Sequence, residues 1–469
     1  MKRRDRAPAP SGNLFAARRP LIARRCVHLD LKGVPPTPAR LIKLPGIFAA
    51  ARYNAILVEW EDSFPWTIDA RFQSETAYSP DIVKKFVKAA EEAGMEIIPL
   101  VQCLGHMETP LHFPEYAALR ETPREDSALN PLAPGARDLV ENMMEDVLKL
   151  MPNVKRFHLG GDEVWAFGTH PDTKRYIARH GKGKLYLRHV EPLLDKLNKL
   201  KIRPLLWHDM MRDWDSRALK RLARKSDLVV WGYGEHPDTT KHHFSRKIIE
   251  RFVRNNMSLW GGTAYKGADG VDADLPNIAR REANAMAWAE VAVRYGFAGV
   301  IATAWSRYWT GACQNEPIEG ALDSAFNVGV ILHDGKPPRG GIESCRRELL
   351  RLAGGRAVVR ARNFLKTLSE ARNNAWQGIR VLRHVIITLS GDRRRFPSSF
   401  MARYMENIGR QMAAAEAAAE DVRRALAGFI APVWIDRYLA ERIESLREEY
   451  DLLGERIRQL NRDAKKTVV

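Results

Sequence analysis

The sequence has few cysteines and lacks long uninterrupted runs of hydrophobic residues. Its 469 residues include four cysteines, which are far apart and form no Cys-x-x-Cys pair. This spacing argues against a disulfide scaffold and against a zinc ribbon, so we expect buried, reduced thiols. No apolar run is long enough to span a membrane. The basic segment 1–8 lacks the apolar stretch of a signal peptide, so we expect a cytoplasmic protein that does not contact membranes.

Several motifs that would indicate other chemistries are missing. No Gly-x-Gly-x-x-Gly follows the first predicted strand, and no Gly-x-Ser-x-Gly nucleophile turn occurs. The histidines are scattered, and no pair of them joins a glutamate in a zinc-binding helix motif. We therefore expect neither a cofactor nor a metal.

Positive charge exceeds negative charge: 75 lysines and arginines stand against 57 acids, a formal net charge of +18. Such an excess raises the question of nucleic-acid binding. The basic residues are, however, spread along the chain and mixed with acids, and no RNA-binding signature is present. Solvated helix faces are the better interpretation, so we expect no nucleic-acid partner.

Eight short apolar runs alternate with segments of helical period from about Arg25 to about Ala312. This pattern predicts a closed TIM (β/α)8 barrel. A doubly wound open sheet is the alternative. The predicted strands are Val27–Asp30, Ala55–Trp60, Glu96–Gln102, Arg156–Gly160, Pro204–Trp207, Leu228–Trp231, Ser258–Trp260 and Gly299–Ala304. The predicted helices include Pro38–Arg52, Asp81–Ala93, Ala136–Leu150, Leu185–Leu200 and Ile278–Tyr295.

Strand signals stop near Pro338, which predicts three regions in the chain. Residues 1–23 are a basic N-terminal extension, 24–337 the catalytic barrel and 338–469 a C-terminal all-helical domain. Predicted helices in the last region are Arg339–Ala353, Val358–Ser390, Ser399–Leu426 and Val433–Arg462. These helices could cover a barrel face, act as a spacer or join two copies of the chain into a homo-oligomer.

Two adjacent acids, Asp162 and Glu163, end the fourth predicted strand, directly after two glycines. Neighbouring side chains on a strand face opposite ways, so two acids here cannot both suit a buried core. A helix cap is the simpler interpretation of an aspartate at such a position. The residues at the other strand ends favour a reaction site instead.

Aromatic and acidic residues recur at the predicted carboxyl ends of the strands, where barrel enzymes place their active sites. Ten of the 12 tryptophans precede residue 310. Indole faces stack on the apolar face of a pyranose, and its hydroxyls need charged hydrogen-bond partners. A ring of tryptophans with carboxylates between them therefore suggests a sugar site.

The segment His158 to Glu163 (His-Leu-Gly-Gly-Asp-Glu) resembles the signature of family 20 glycoside hydrolases, the β-N-acetylhexosaminidases. Further segments resemble the hexosaminidase D branch of this family. These are residues 28–33, 59–65, 102–108, 114–121 and 265–267. The resemblance spans roughly residues 24 to 335. It implies an exo-acting enzyme that releases terminal GlcNAc or GalNAc from a glycan by a retaining, substrate-assisted mechanism.

By the same resemblance, Glu163 is the general acid and base, and Asp162 orients the substrate acetamido group. The resemblance assigns substrate-binding roles to the residues Arg25, Asp62, His106, Trp207, Asp209, Trp231, Trp260, Tyr265 and Trp305. Many family members place a glutamate two residues after the last-strand tryptophan, where this chain has Arg307. Glu316 or another acid is a candidate replacement, and the choice between GlcNAc and GalNAc stays open.

Two other functions are weighed against this one. The first is a barrel glycosidase of another type with an enzyme nucleophile such as Glu61 or Asp209. The second is a non-catalytic sugar-binding protein whose helical tail is its functional part.

Overall fold

Eight parallel strands close into a barrel in the computed structural model, which describes residues 19–391 and 398–466. Around the barrel the order is β1, β10, β9, β8, β7, β6, β3 and β2. The predicted TIM barrel is confirmed. The barrel strands are β1 Arg25–Asp30, β2 Ala55–Glu59, β3 Glu96–Leu100, β6 Arg156–His158, β7 Arg203–Trp207, β8 Asp227–Trp231, β9 Leu259–Lys266 and β10 Gly299–Ala304.

Helices connect these strands and surround the barrel. The five helices that the sequence predicted lie within a few residues of their expected positions. In chain order the helices up to the end of the barrel are α1 Pro38–Ala50, α2 Pro80–Glu92, α3 Glu108–Leu111, α4 Ala136–Leu150, α5 Pro171–His180, α6 Lys182–Lys199, α7 Ser216–Ala223, α8 Arg246–Arg254, α9 Ile278–Tyr295 and α10 Ile318–Asp334. A small antiparallel hairpin, β4 Arg120–Thr122 and β5 Glu125–Leu129, lies between β3 and α4 and was not predicted.

The barrel interior is filled with large side chains. Leu57, Ile98, Trp207, Trp260 and Ile301 are buried in one cluster inside the strands. The alternate side chains of the strands pack outward against the helices. The interior is therefore a packed core, and a ligand site of the barrel is expected beyond the strand ends.

The chain after the barrel is helical, with α11 Gly341–Arg351, α12 Gly355–Gly391, α13 Ser398–Leu426 and α14 Pro432–Lys466. The last three share a hydrophobic cluster of their own. Helix α11 instead buries Cys345 and Leu349 in the cluster of the barrel. The boundary at residue 338 stays a prediction, and the predicted N-terminal extension lies mostly outside the described residues. None of the helices in the described part of the chain is both long and apolar enough to cross a membrane.

The C-terminal helices contact loops at the carboxyl end of the barrel. The Thr37 N–H, just after β1, donates to the Phe429 carbonyl at 2.7 Å. The Trp434 indole N–H donates to the Thr76 hydroxyl, after β2, at 2.6 Å. Of the predicted alternatives, these helices thus cover part of a barrel face.

Candidate active site

The acid pair follows β6 on a turn with left-handed backbone. Gly160 and Gly161 have φ angles of 56° and 82°, which glycine adopts without strain. A Cβ on Gly161 would lie 2.2 Å from the Tyr186 hydroxyl, and one on Gly160 would lie 1.8 Å from Gln102 Oε1. The sequence therefore needs both glycines to turn the chain so that Asp162 and Glu163 follow the strand end.

Three residues at strand ends have a strained backbone. Glu61, His106 and Glu163 have φ angles of 46°, 52° and 47°, although none is a glycine. Such conformations are uncommon for these residue types, and they concentrate at sites where geometry serves function. Two of the three, His106 and Glu163, line the same cavity.

His106 lies between the two acids. Its Nε2 is 3.8 Å from Asp162 Oδ2 and 3.6 Å from Glu163 Oε2. Burial alone would lower the pKa of His106, but the charges of Asp162, Glu108 and Glu163 outweigh it and raise this pKa. The imidazole can therefore hold a proton next to both carboxyl groups.

Both acids bind protons more tightly than usual. Burial is the main cause of the raised pKa of Asp162, whose side chain is 7% exposed. Burial also raises the pKa of Glu163, helped by the negative charge of Asp209 and opposed by His106. A carboxyl group with a raised pKa can donate a proton near neutral pH.

Asp209 fixes the backbone of the acid pair. Its Oδ2 accepts a 2.9 Å hydrogen bond from the Glu163 N–H, and its Oδ1 accepts one of 3.3 Å from the Trp231 indole. Burial raises the pKa of Asp209 as well. Through these two contacts Asp209 holds the Glu163 backbone and the Trp231 indole in place.

A cavity of about 670 Å³ opens above the acids. Six of the predicted residues line it: His106, Asp162, Glu163, Trp207, Trp231 and Trp305. The ring centroids of Trp207 and Trp305 are 6.1 Å apart. The cavity thus combines aromatic walls with acidic groups at its base, an arrangement that can hold a single sugar ring.

Further residues line the cavity that the sequence did not single out. Tyr233 stacks on Trp231 with ring centroids 5.5 Å apart. Trp165 and Trp309 stand at the rim with 80% and 51% of their surface exposed. Large exposed indoles beside a cavity mark a surface for contact with a ligand. Trp165 lies two residues after Glu163, and this closeness in the sequence was the available signal.

The β4–β5 hairpin supplies another wall, through residues 124–127. Its strands are short and its tip is charged, so no periodic hydrophobic pattern marked it in the sequence.

Asp62 lies at the same end of the barrel but does not line the cavity. Its Oδ2 is 3.0 Å from Arg307 Nη2. Arg307, which occupies the position where many family members have glutamate, is thus paired with Asp62, one of the acids predicted to bind substrate. Glu316 is buried, accepts a 2.8 Å hydrogen bond from the N–H of the cavity residue Gly267, and does not itself line the cavity.

Arg25 lies at the opposite end of the barrel, which corrects the expectation that it binds substrate. It is the first residue of β1, and its guanidinium donates to the carbonyls of Ile22 and Arg52, each at 2.7 Å. Five residues of a strand span about 16 Å. Arg25, at the amino end of β1, is therefore too far from the cavity at the carboxyl end to bind the same ligand.

The predicted substrate-binding roles of Trp260 and Tyr265 are also wrong, because neither side chain lines the cavity. Strand β9 begins at Leu259, so Trp260 lies at its amino end, where its indole donates to Asp227 Oδ2 at 3.1 Å. The Tyr265 side chain packs between sheet and helices, and its hydroxyl donates to the His28 carbonyl at 3.1 Å. The register between β9 and β10 shifts at this point, so that Lys266 and not Tyr265 pairs with Ala304. Among the described residues Tyr233 is the tyrosine that lies beside Trp231 in the cavity wall.

Within the described ranges, side chains of types that can bind a metal come together at one place, away from the cavity. His236, Asp238 and Glu290 bring ligand atoms within 4.8 Å of one another. Arg294 pairs with both carboxylates of this group. The cation that these acids hold is therefore a guanidinium of the chain itself.

Comparisons with known proteins agree with this geometry. Residues 56–247 match the catalytic domain of glycosyl hydrolase family 20. Hexosaminidase D of Bos taurus is 34% identical over 322 residues, which cover 66% of this chain and 92% of the bovine protein. Hexosaminidase D of Homo sapiens is 34% identical over 295 residues, 61% of this chain and 60% of the human protein.

Among solved structures, the chitobiase of Flavobacterium johnsoniae has the same fold. It superimposes with a TM-score of 0.55 at 14% identity and covers 95% of this chain and 73% of its own. The match to the bovine protein spans nearly all of that relative, and the family match over residues 56–247 includes the acid pair. The chain therefore belongs to glycoside hydrolase family 20.

Proposed function

We propose that the protein is an exo-acting β-N-acetylhexosaminidase that hydrolyses terminal GlcNAc or GalNAc residues of a glycan. The observation that carries this proposal is the pair Asp162 and Glu163 with His106 between them, at the base of the tryptophan-lined cavity. Adjacent acids can serve adjacent atoms of one bound sugar, namely the acetamido nitrogen and the glycosidic oxygen.

In the first step, the carboxyl group of Glu163 gives its proton to the glycosidic oxygen. The acetamido oxygen of the substrate attacks the anomeric carbon as the bond to the leaving group breaks, and a cyclic oxazolinium forms. Asp162 accepts a hydrogen bond from the acetamido N–H and stabilises the positive charge that develops. This charge favours the ionised form of Asp162 although burial raises its pKa.

In the second step, the Glu163 carboxylate takes a proton from water, whose oxygen attacks the anomeric carbon and opens the oxazolinium ring. Two displacements at one carbon retain its configuration. The glutamic acid is restored, and atoms and charge balance over the cycle. Trp207 and Trp305 are proposed to enclose the sugar and exclude bulk water.

The contacts of the alternative nucleophiles support this mechanism over one with a covalent glycosyl-enzyme. Both oxygens of Asp209 accept hydrogen bonds from Glu163 and Trp231. Glu61 accepts a hydrogen bond from the Thr109 hydroxyl at 3.2 Å and does not line the cavity.

The substrate is proposed to be a glycan and not a nucleic acid. Many arginines and lysines of the described chain pair with acids, as Arg203 does with Asp227 at 2.8 Å. Location in the cytoplasm and self-association through α12–α14 are expectations from the sequence only.

Hydrolysis of aryl β-GlcNAc and aryl β-GalNAc tests the proposal. We expect turnover of at least one of them, inhibition by a GlcNAc-thiazoline that mimics the oxazolinium, and release of the β-anomer first. Folded protein that turns over neither glycoside between pH 4 and 8 contradicts the proposal. Trapping of a covalent adduct by a fluorosugar contradicts the substrate-assisted mechanism alone.

A further inference from the structure

A buried cluster of charges joins the C-terminal helices to the loop after β9. The Asp274 carboxylate is fully buried in this loop. Its Oδ1 accepts hydrogen bonds from Tyr438 and Arg442 of α14, each at 2.9 Å. Its Oδ2 accepts one from Arg372 of α12 at 2.8 Å. Two helices of the C-terminal region thus converge on one loop carboxylate.

The same arginines bind further groups of the neighbouring loops. Arg372 also contacts the side chain and the carbonyl of Asp272, each at 2.7 Å. Arg442 donates to the carbonyl of Gln314, in the loop after β10. Glu441 accepts a 2.7 Å hydrogen bond from the Gln314 N–H. The cluster therefore fixes the loops after β9 and β10 together.

These two loops form one side of the cavity. Gly267 and Ala268 come from the loop after β9, and Trp305, Tyr308 and Trp309 from the segment after β10. The Tyr308 hydroxyl donates to the Gly270 carbonyl at 3.4 Å. A displacement of either loop would change the shape of the sugar-binding wall.

We propose that Arg372 and Arg442 are positioning residues, through which the C-terminal helices hold the β9 and β10 loops in the conformation that closes the cavity. This inference rests on the proposed function, since it assigns the helical region a role in substrate binding. The side chains of Arg372 and Arg442 are 6% and 1% exposed. Removing either leaves the Asp274 charge buried with one arginine fewer, which favours movement of the loop toward water.

The chain offers a matched control on the same helix. Arg362 of α12 pairs with the buried Asp323, which also binds Arg346 of α11 at 2.9 Å. Asp323 belongs to α10, a helix of the barrel wall, and none of these three residues lines the cavity. Arg362→Met therefore removes an equivalent arginine from an equivalent aspartate without touching the pocket loops.

The experiment compares Arg372→Met with Arg362→Met in the full-length protein. We expect both to lower the melting temperature, while Arg372→Met alone raises KM for an aryl glycoside about fivefold. Without substrate, hydrogen–deuterium exchange should increase in peptides covering 267–277 and 305–316 of Arg372→Met only. Asp272→Asn, at a residue with a 60% exposed side chain, is a milder variant that should show the same exchange pattern if Arg372→Met fails to fold.

Equal KM and equal loop exchange in Arg372→Met and the unmodified protein would overturn the inference, as would equal changes in both arginine variants. Arg372→Lys keeps the charge but loses the two-pronged contact, so an intermediate KM supports a positioning role. Hydrogen–deuterium exchange of the two loops can be compared between the variants even if the unmodified protein has no glycosidase activity. Failure of the proposed function and failure of this inference are thereby distinguishable.

Discussion

The Glu163 backbone N–H donates a 2.9 Å hydrogen bond to the Asp209 carboxylate, across the gap between two neighbouring strand ends. The residue at the donor end has a left-handed φ of 47°, so its backbone is held away from a relaxed conformation. The other Asp209 oxygen accepts from Trp231. One side chain thus connects the proposed acid to an aromatic wall of the cavity.

Asp209→Asn should lower kcat about 100-fold, because an amide has one acceptor oxygen and cannot hold both Glu163 and Trp231 in place. Steady-state kinetics with an aryl glycoside measures the effect. The control is Asp213→Asn, which changes an 86% exposed aspartate nearby and should leave kcat unchanged. Equal rates for the two variants would show that the Glu163 turn keeps its geometry without Asp209.

Glu163→Gln should lower kcat by about 100- to 10,000-fold on substrates with poor leaving groups, since the proton donor is lost. A dinitrophenyl glycoside needs little protonation and should be much less affected in the first step. The ratio of the two rates is the measurement, and it corrects for any partial unfolding. A uniform loss on both substrates would contradict the role of general acid.

The alkaline limit of activity should move in opposite directions in two variants. If Glu163 is the general acid, as proposed, it works protonated, and kcat/KM falls as pH rises through its raised pKa. The His106 charge lowers this pKa, so His106→Asn should shift the fall to higher pH. The Asp209 charge raises it, so Asp209→Asn should shift the fall to lower pH. Shifts in the same direction would show that another group controls this limit.

Asp162→Asn should be more stable than the unmodified protein at neutral pH, although its rate falls. The pKa of Asp162 is raised in the folded state by burial, so its contribution to stability is present at low pH and lost as pH rises above the unfolded value of about 3.9. An amide avoids this loss.

Calorimetry at pH 5 and pH 8 measures the difference in melting temperature between Asp162→Asn and the unmodified protein. The gain should be larger at pH 8, and each tenfold difference in proton affinity corresponds to about 1.4 kcal/mol. Asp213→Asn is again the exposed control. A gain that is independent of pH would point to packing and not to ionisation.

The barrel and its acid pair were predictable because they depend on local patterns. Short apolar runs fix the strands, and two glycines before two acids mark the turn after β6. The end of β9 was not predictable, because Gly261 and Gly262 interrupt the pattern after Trp260 although the strand continues to Lys266. Glycine is needed at these positions, where a Cβ would lie 2.9 Å from Trp288 and 2.8 Å from Trp231.

Contacts between residues far apart in the chain could not be predicted from the sequence. Arg25 precedes Asp30 at the spacing that the family resemblance suggested, yet the direction of the strand places it at the other end of the barrel. The cluster around Asp274 joins residues about 100 and 170 positions apart. The spacing of hydrophobic residues predicts helices and strands but not pairs of residues that are so far apart. The sequence predicted the helices and left open which surface they cover.

The adjacency of Asp162 and Glu163 also has a mechanical consequence. A single peptide unit connects their Cα atoms, which are therefore about 3.8 Å apart whatever the barrel does. In an enzyme whose two acids come from different strands, thermal expansion of the sheet changes their separation. Here heating can loosen the tryptophan wall while the backbones of the proposed proton donor and charge stabiliser keep their covalent spacing. Affinity for the sugar should therefore decline with temperature before the chemical step does.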